Sequence, residues 1–364
     1  MMLLLKALFL FTVFGLGNGL EANPPGSPQS LTDKICPGRP RTYCEVQLDV
    51  PSSCVNVACP IVFFLHGSGG NIQGYAQRTG VHSANMIGVY PQGERGWNTG
   101  PKPGNTCAWN NYECQDDPDE GDYIAAIISE IRSLGATGNI YVIGSSNGAA
   151  LAHRLASNAG DALPIKGIVA KVTQLLSSPN RSGPGVLNYN QPRSGAPAVS
   201  VLSIMGTDDP LIPYEGGSSN VFGGDQSFQL MDSVESMETW SSHNGCDGTV
   251  SIDYNYVTDQ GTGRAIKYDY SGGCSSGILL EHYAIEGGGH NAGGASINGE
   301  KVDYVISYDF INRVENGSDE PTPTSPVQPP VASPPTTSSC VDDPEWAGKF
   351  NPCLLYTSPS PRDS

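Results

Sequence analysis

The sequence is short of basic residues. Its 364 residues contain 19 Lys and Arg against 36 Asp and Glu, which gives a formal net charge of −17 at pH 7. No run of consecutive basic residues is present. Proteins neutralise nucleic-acid phosphates and anionic lipid surfaces with such Lys and Arg clusters. We therefore expect neither a nucleic acid nor a membrane among the partners of this chain.

Long apolar runs are also lacking, except at the start of the chain. Residues 1–22 read MMLLLKALFLFTVFGLGNGLEA, with one Lys, an apolar stretch too short to span a bilayer, and small residues at 17–22. This order is typical of a cleaved secretory signal peptide. The alternative is an uncleaved membrane anchor, but no stop-transfer pattern follows. We expect a secreted, extracellular protein.

The cysteines lack the spacing of a zinc site. Eight of them lie in the part of the chain that is expected to be compact, and an even number suits disulfides in an oxidising compartment. These are Cys36, Cys44, Cys54, Cys59, Cys107, Cys114, Cys246 and Cys274. Their connectivity cannot be deduced from the sequence, although Cys107 with Cys114 and Cys246 with Cys274 are candidate bridges.

The composition changes near the end of the chain. Residues 316–339 are rich in Pro, Ser and Thr and are expected to form an extended linker. We interpret residues 340–352 as the truncated start of a small Cys-containing module that would grip a carbohydrate or polymer surface. Residues 353–364 resemble the translation of a sequencing adapter, so we treat them as an artefact. The alternative is a native disordered tail.

Residues 31–315 are expected to form one α/β domain, because short apolar runs alternate with amphipathic ones. Three stripes at helical spacing begin at Ile124, Phe228 and Val302. The pattern predicts a mostly parallel central sheet with helices on both faces. The predicted strands cover residues 61–65, 86–90, 140–143, 168–172, 199–205 and 282–285.

The segment GSSNG at 144–148 separates a β-branched run from a helix-forming run. A strand, a Gly-x-Ser-x-Gly turn and a helix together make a nucleophile elbow, in which small residues surround a serine with a cramped backbone. The alternative is a plain glycine-rich turn. The flanking elements favour the elbow, with Ser146 as the nucleophile.

A serine hydroxyl needs a base to take its proton and a carboxylate to orient that base. In this type of site the acid and then the His follow the Ser along the chain, each on a loop after a strand. The segment GTDDP at 206–210 supplies Asp208 and Asp209, and GGGH at 287–290 supplies His290. We interpret His153 and His282 as structural because they fall within a helix and a strand.

The oxyanion of the reaction needs donors that are in place beforehand. One is expected to be the main-chain N–H of Asn147. The other is assigned to the N–H of Ser68 in the segment HGSGG at 66–70, which follows a predicted strand. The alternative for this segment is again an ordinary turn.

The segments HGSGG, GSSNG, GTDDPLIPY and GGGH, in that order, resemble the α/β-hydrolase esterases of the feruloyl esterase and polyhydroxybutyrate depolymerase family. The resemblance spans about residues 42–314. It implies that the acid is Asp209 rather than Asp208. Two positions depart from the family: Met205 stands where His is frequent, and Ala292 stands where Trp commonly follows the catalytic His.

The expected function is therefore a secreted serine esterase that hydrolyses carboxylic esters in polymers, either feruloyl and other cell-wall esters or polyhydroxyalkanoates. The alternatives are an acetylxylan esterase, a short-chain lipase-like hydrolase, or an inactive carbohydrate-binding relative. Trp97 and Trp109 are candidates for a substrate-stacking platform, or else packing residues. No cofactor and no metal are expected. The acidic run at 116–120 lacks the alternate-position spacing of a calcium-binding loop, and its composition favours a solvated helix N-terminus.

Overall fold

The computed structural model of the chain describes residues 19–31, 45–73, 75–93, 96–100, 119–179, 189–223, 226–275 and 277–317. All of these residues belong to one compact unit. Among them, no helix is long and apolar enough to cross a membrane. The predicted linker, C-terminal module and adapter segment lie outside the described residues apart from 316 and 317, and they remain predictions.

A ten-stranded sheet forms the centre of this unit. Its six middle strands are parallel, and the two strands at each edge pair antiparallel. In the described part of the chain the strands are β1 Gln29–Ser30, β2 Val46–Asp49, β3 Ile61–Leu65, β4 Ile87–Pro91, β5 Ile140–Ser145, β6 Ile165–Lys171, β7 Leu176–Ser178, β8 Ser200–Gly206, β9 Gln229–Leu230, β10 Ser251–Val257, β11 Arg264–Asp269, β12 Leu280–Ile285, β13 Ser296–Ile297 and β14 Glu300–Lys301. The order across the ten-stranded sheet is β1-β2-β4-β3-β5-β6-β8-β12-β11-β10.

Helices cover both faces of the sheet. They are α1 Tyr75–Thr79, α2 Val81–Ala84, α3 Glu120–Ser133, α4 Asn147–Ser157, α5 Ser233–His243 and α6 Ser307–Asn316, with a π-helix over Val302–Ile306. Three of the helices pack into one buried cluster, to which α3 contributes Ile124, α4 contributes Leu151 and α5 contributes Met237. Ala76 and Phe310 place α1 and α6 in the other. Because the parallel strands are covered on both sides, they read as nearly continuous apolar runs.

The predicted α/β class, the parallel sheet and its two helical layers are confirmed. The six parallel strands are the six predicted ones, with bounds shifted by up to three residues. The stripe that begins at Phe228 is only partly helical. Asp232 accepts hydrogen bonds from the N–H groups of Val234 and Glu235, so this N-cap starts α5 at Ser233 and leaves Phe228 and Met231 before the helix.

The packed region begins before residue 31, where the domain was predicted to start. β1 pairs with β2, and the N–H of Leu20 donates to the carbonyl oxygen of Leu134 at 2.6 Å. Leu20 is buried, although it falls inside the predicted signal peptide. The apolar stretch of that peptide lies outside the described residues, and its cleavage remains a prediction.

Two disulfides are present among the described cysteines. The candidate bridge between Cys246 and Cys274 is confirmed. Cys54 pairs with Cys59, a bridge that the sequence did not single out. The other candidate, Cys107 with Cys114, lies outside the described residues, as do Cys36 and Cys44.

Candidate active site

The segment at 144–148 forms a sharp turn between β5 and α4, with Ser146 at its apex. Ser146 has φ +53° and ψ −122°, a strained conformation for a residue with a side chain. The turn also needs its glycines. A Cβ on Gly144 would lie 2.3 Å from the carbonyl oxygen of Gly148, and a Cβ on Gly148 would lie 2.3 Å from that of Leu65. The Gly-x-Ser-x-Gly spacing is therefore required by close main-chain packing.

Hydrogen bonds from neighbouring elements hold this strained residue. The N–H of Ser146 donates to the carbonyl oxygen of Lys171 at 2.8 Å, and the carbonyl oxygen of Ser146 accepts from Ala149 and Ala150. The hydroxyl of Thr173 donates to the same carbonyl oxygen at 2.9 Å. Backbone strain of this kind costs about 1–3 kcal/mol and persists where surrounding contacts over-determine the geometry. The side chain of Ser146 is consequently presented above the carboxyl end of β5.

The structure brings Ser146, His290 and Asp209 together. The Nδ1 of His290 donates to Oδ2 of Asp209 at 2.7 Å, which leaves Nε2 as the acceptor for the Ser146 hydroxyl at 2.9 Å. The other carboxylate oxygen of Asp209 accepts the N–H groups of Leu211 and Ile212 at 2.8 and 3.0 Å. Both oxygens of this buried carboxylate therefore have hydrogen-bond partners.

The choice between the two aspartates is resolved by burial. The carboxyl group of Asp209 is 0% exposed beside His290, whereas Asp208 faces solvent. The loops that carry the acid and the base pack closely, because a Cβ on Gly206 would lie 2.2 Å from the carbonyl oxygen of Gly288. A strand, a nucleophile elbow and a helix in a mostly parallel sheet, followed by acid and then His, is the α/β-hydrolase arrangement.

The two predicted oxyanion donors border the same cavity as the serine. Ser68 and Asn147 both line it, and neither amide has an acceptor among the described residues. The ring of His66 shapes the loop before Ser68: its Nδ1 donates to the carbonyl oxygen of Gly67 at 2.8 Å, and its Nε2 accepts from the N–H of Gly93 at 3.1 Å. Burial lowers the pKa of His66, which favours this neutral ring.

Trp97 does not form an open platform. It is 5% exposed, and its ring packs beside that of His66. Its indole N–H donates to the carbonyl oxygen of His66 at 2.8 Å. The N–H of Trp97 donates to the side-chain oxygen of Asn147, whose amide group donates back to the carbonyl oxygen of Trp97 at 3.1 Å. Trp97 thus connects the loop of Ser68 to the residue after the nucleophile.

This connection was not predicted, since His66, Trp97 and Asn147 are far apart in the chain and Trp97 belongs to none of the motifs. The packing alternative for Trp97 is the one that its burial supports, and the stacking prediction for Trp97 is wrong. Trp109 lies outside the described residues.

An apolar cavity of about 330 Å³ opens at the serine. Besides Ser146, His290 and the two predicted oxyanion donors, it is lined mainly by side chains of the loop after Asp209 and by one tyrosine; these are Tyr189, Leu211, Ile212, Val221 and Phe222. This is the size range of small-molecule sites. We call it the apolar cavity.

The other predicted roles near the site are structural. His153 and His282 are fully buried, and burial lowers their pKa values to about 4 and about 3, so both rings are neutral near pH 7. Asp119 caps α3 by accepting from the N–H of Gly121. Glu120 is buried rather than solvated, and it accepts from the N–H of Asn98. The described residues contain no cluster of His, Cys, Asp and Glu suited to a metal ion.

No family model matches the chain. The chain is 24% identical over 269 residues to a protein of Nocardia uniformis subsp. tsuyamanensis described as "Putative esterase NocK". The aligned region covers 70% of this chain and 72% of the relative.

Two solved structures are similar at lower identity. TT1662 from Thermus thermophilus matches at 13% identity and a TM-score of 0.46, over 79% of this chain and 98% of that one. An acetyl xylan esterase from Aspergillus awamori matches at 15% identity and a TM-score of 0.45, over 73% of this chain and 94% of that one. At such scores the assignment of the fold depends on the sheet, the elbow and the order of the three side chains described above.

Proposed function

We propose that this protein is a serine hydrolase that cleaves carboxylic esters through an acyl-enzyme. The observation that carries the proposal is the continuous chain of hydrogen bonds from Asp209 through His290 to Ser146 at the mouth of the apolar cavity. A strained serine, a neutral imidazole acceptor and a buried carboxylate provide the nucleophile, the base and the group that orients the base.

In the first half of the reaction, Oγ of Ser146 attacks the ester carbonyl carbon while Nε2 of His290 takes the hydroxyl proton. Asp209 stabilises the imidazolium that forms, and the amides of Ser68 and Asn147 hold the oxyanion. The intermediate collapses when the bond to the alcohol breaks and His290 returns the proton to the departing oxygen. Water then repeats these steps on the acyl-enzyme and releases the acid.

The apolar cavity supports a substrate with an apolar acyl group, which includes aromatic acids such as ferulate and short hydroxyalkanoates. The similarity to a relative described as an esterase supports ester rather than amide hydrolysis. We further propose that the enzyme is exported and acts on polymer esters, which fits the disulfides and the predicted signal peptide and linker. Acetylated xylan remains the alternative substrate.

The test is hydrolysis of methyl ferulate, acetylated xylan and short hydroxybutyrate oligomers by the wild type and by Ser146→Ala. We expect the wild type to cleave at least one ester and the variant to lose about 10⁴-fold or more in kcat. If the wild type cleaves none of them, or if the variant is as active as the wild type, the proposal is wrong. Carbohydrate binding without hydrolysis would then favour the inactive alternative.

A further inference from the structure

A second cavity, of about 380 Å³, also borders His290. Ser145 and His290 line both cavities, so the two meet at the proposed catalytic base. The second cavity sits on the face of the sheet that carries α1 and α6. Its polar and aromatic side chains come from α1, from the end of β6 and from the segment after His290; they are Tyr75, Arg78, Lys171, Asn291, Asp303 and Tyr304. We call it the polar cavity.

The polar cavity combines flat rings with charged hydrogen-bonding groups. The guanidinium of Arg78 lies 5.2 Å from the centre of the Tyr75 ring. Lys171, whose side chain is 9% exposed, pairs with Asp303. Burial raises the pKa values of Tyr75 and Tyr304, so both phenols keep their protons and can donate hydrogen bonds. A sugar ring has the complementary chemistry, because it presents C–H faces to aromatic rings and hydroxyl groups to charged side chains.

The reaction geometry indicates which part of an ester would occupy this cavity. His290 must protonate the oxygen of the departing alcohol, so that oxygen lies beside Nε2 when the bond breaks. The alcohol therefore lies next to His290, which lines the polar cavity as well as the apolar one. An acyl group in the apolar cavity would leave the polar cavity for the alcohol.

We propose that the polar cavity is the binding site for the alcohol part of the substrate and that this alcohol is polyhydroxylated, as a sugar ring is. The inference rests on the proposed esterase function and selects carbohydrate esters over hydroxyalkanoate chains, whose alcohol part has few hydroxyl groups. The sugar is released when the acyl-enzyme forms, and it would leave through this cavity before water enters for deacylation.

The test compares two esters of the same acid. This acid is the one whose ester the wild type hydrolyses fastest in the panel above. One ester has methanol as its alcohol, and the other has arabinose or xylose. The variants are Tyr304→Ala and Arg78→Ala. Arg78 is exposed, so its replacement opens no hole in the core. Val305→Ala is the matched control, because Val305 adjoins Tyr304 and is 44% exposed. Thermal unfolding verifies that all variants are folded.

We expect KM for the sugar ester to rise about tenfold in Tyr304→Ala and in Arg78→Ala, the effect of one lost ring contact or hydrogen bond. KM for the methyl ester should change less than twofold, and Val305→Ala should resemble the wild type on both. Equal losses on both esters would mean that the cavity only positions His290, and no loss on the sugar ester would mean that the alcohol lies elsewhere. Either result overturns the inference while the esterase function stands. A wild type inactive on every ester overturns both.

Discussion

The connection made by Trp97 leads to a quantitative prediction. Trp97→Phe removes the indole N–H that donates to the carbonyl oxygen of His66 while keeping an aromatic ring in the buried space. The main-chain bonds between residue 97 and the side chain of Asn147 do not depend on the indole. The substitution therefore loosens the loop of Ser68 selectively and leaves the amide of Asn147 in place.

The size of the effect follows from the two oxyanion donors. Loss of a whole donor costs about 10²–10³-fold in kcat in enzymes of this type. Here one donor is displaced rather than deleted, so we expect kcat to fall roughly 10- to 100-fold. KM should stay within twofold, because the oxyanion contact forms only in the transition state. The unpaired carbonyl of His66 should also lower the free energy of unfolding by about 1–3 kcal/mol.

The assay is steady-state hydrolysis of the best ester together with urea unfolding. Trp240→Phe is the matched control. Trp240 is also fully buried, and its indole N–H donates to His153 at 3.3 Å, in a packing contact that does not involve either oxyanion donor. This control should lose stability and keep its kcat.

A Trp97→Phe enzyme with wild-type kcat and reduced stability would refute the reasoning, because the indole would then support only the fold. Equal losses of kcat in Trp97→Phe and Trp240→Phe would also refute it, since general softening of the core would explain both.

Three further predictions concern the acid, the fold and the elbow. Asp209→Asn should reduce kcat for ester hydrolysis about 10³–10⁴-fold. Asp208→Asn changes an exposed neighbour, so its kcat should remain within twofold of the wild type. Similar losses of kcat in both variants would contradict the assignment of the acid. The pKa values of His153 and His282 are about 4 and about 3 when folded and about 6.5 when unfolded, so the unfolded chain binds more protons than the folded one as the pH falls. Urea titrations should therefore show the free energy of unfolding dropping by roughly 2–3 kcal/mol from pH 6.5 to 5. A flat profile would contradict the burial of both rings in the neutral form. Gly148→Ala should lower the free energy of unfolding by several kcal/mol, on the order of an overpacked core site, because its Cβ would lie 2.3 Å from a main-chain oxygen; calorimetry with an unchanged Tm would exclude the tight elbow.

The candidates for nucleophile, acid and base could be located from the sequence because each follows a strand within a short local motif. Parallel strands bring their carboxyl ends to one edge of the sheet, so residues 146, 209 and 290 converge without any further information about packing. The elbow glycines were readable because they belong to the Gly-x-Ser-x-Gly motif. The constraint on Gly144 comes from Gly148 within that motif, whereas the constraint on Gly148 comes from the distant Leu65.

Other features were not readable because they depend on contacts between distant segments. β10 was missed together with its partner β11. It lies at the edge of the sheet and has no buried residue, a position that its alternating Ile252, Tyr254 and Tyr256 do not specify. The pairing of Cys54 with Cys59 required a Cα separation of 5.5 Å, which spacing alone does not specify. The buried position of Trp97 likewise depended on His66 and Asn147, 31 and 50 residues away.

The amino-acid sequence by itself determined the alternation of strands and helices, the elbow and the order of the three reacting side chains, because periodicity and turn chemistry act over a few residues. The tertiary structure alone decided that Trp97 is a buried link and not a platform, and that two cavities of different chemistry meet at His290. Burial and cavity shape arise from segments far apart in the chain, and no local pattern encodes them.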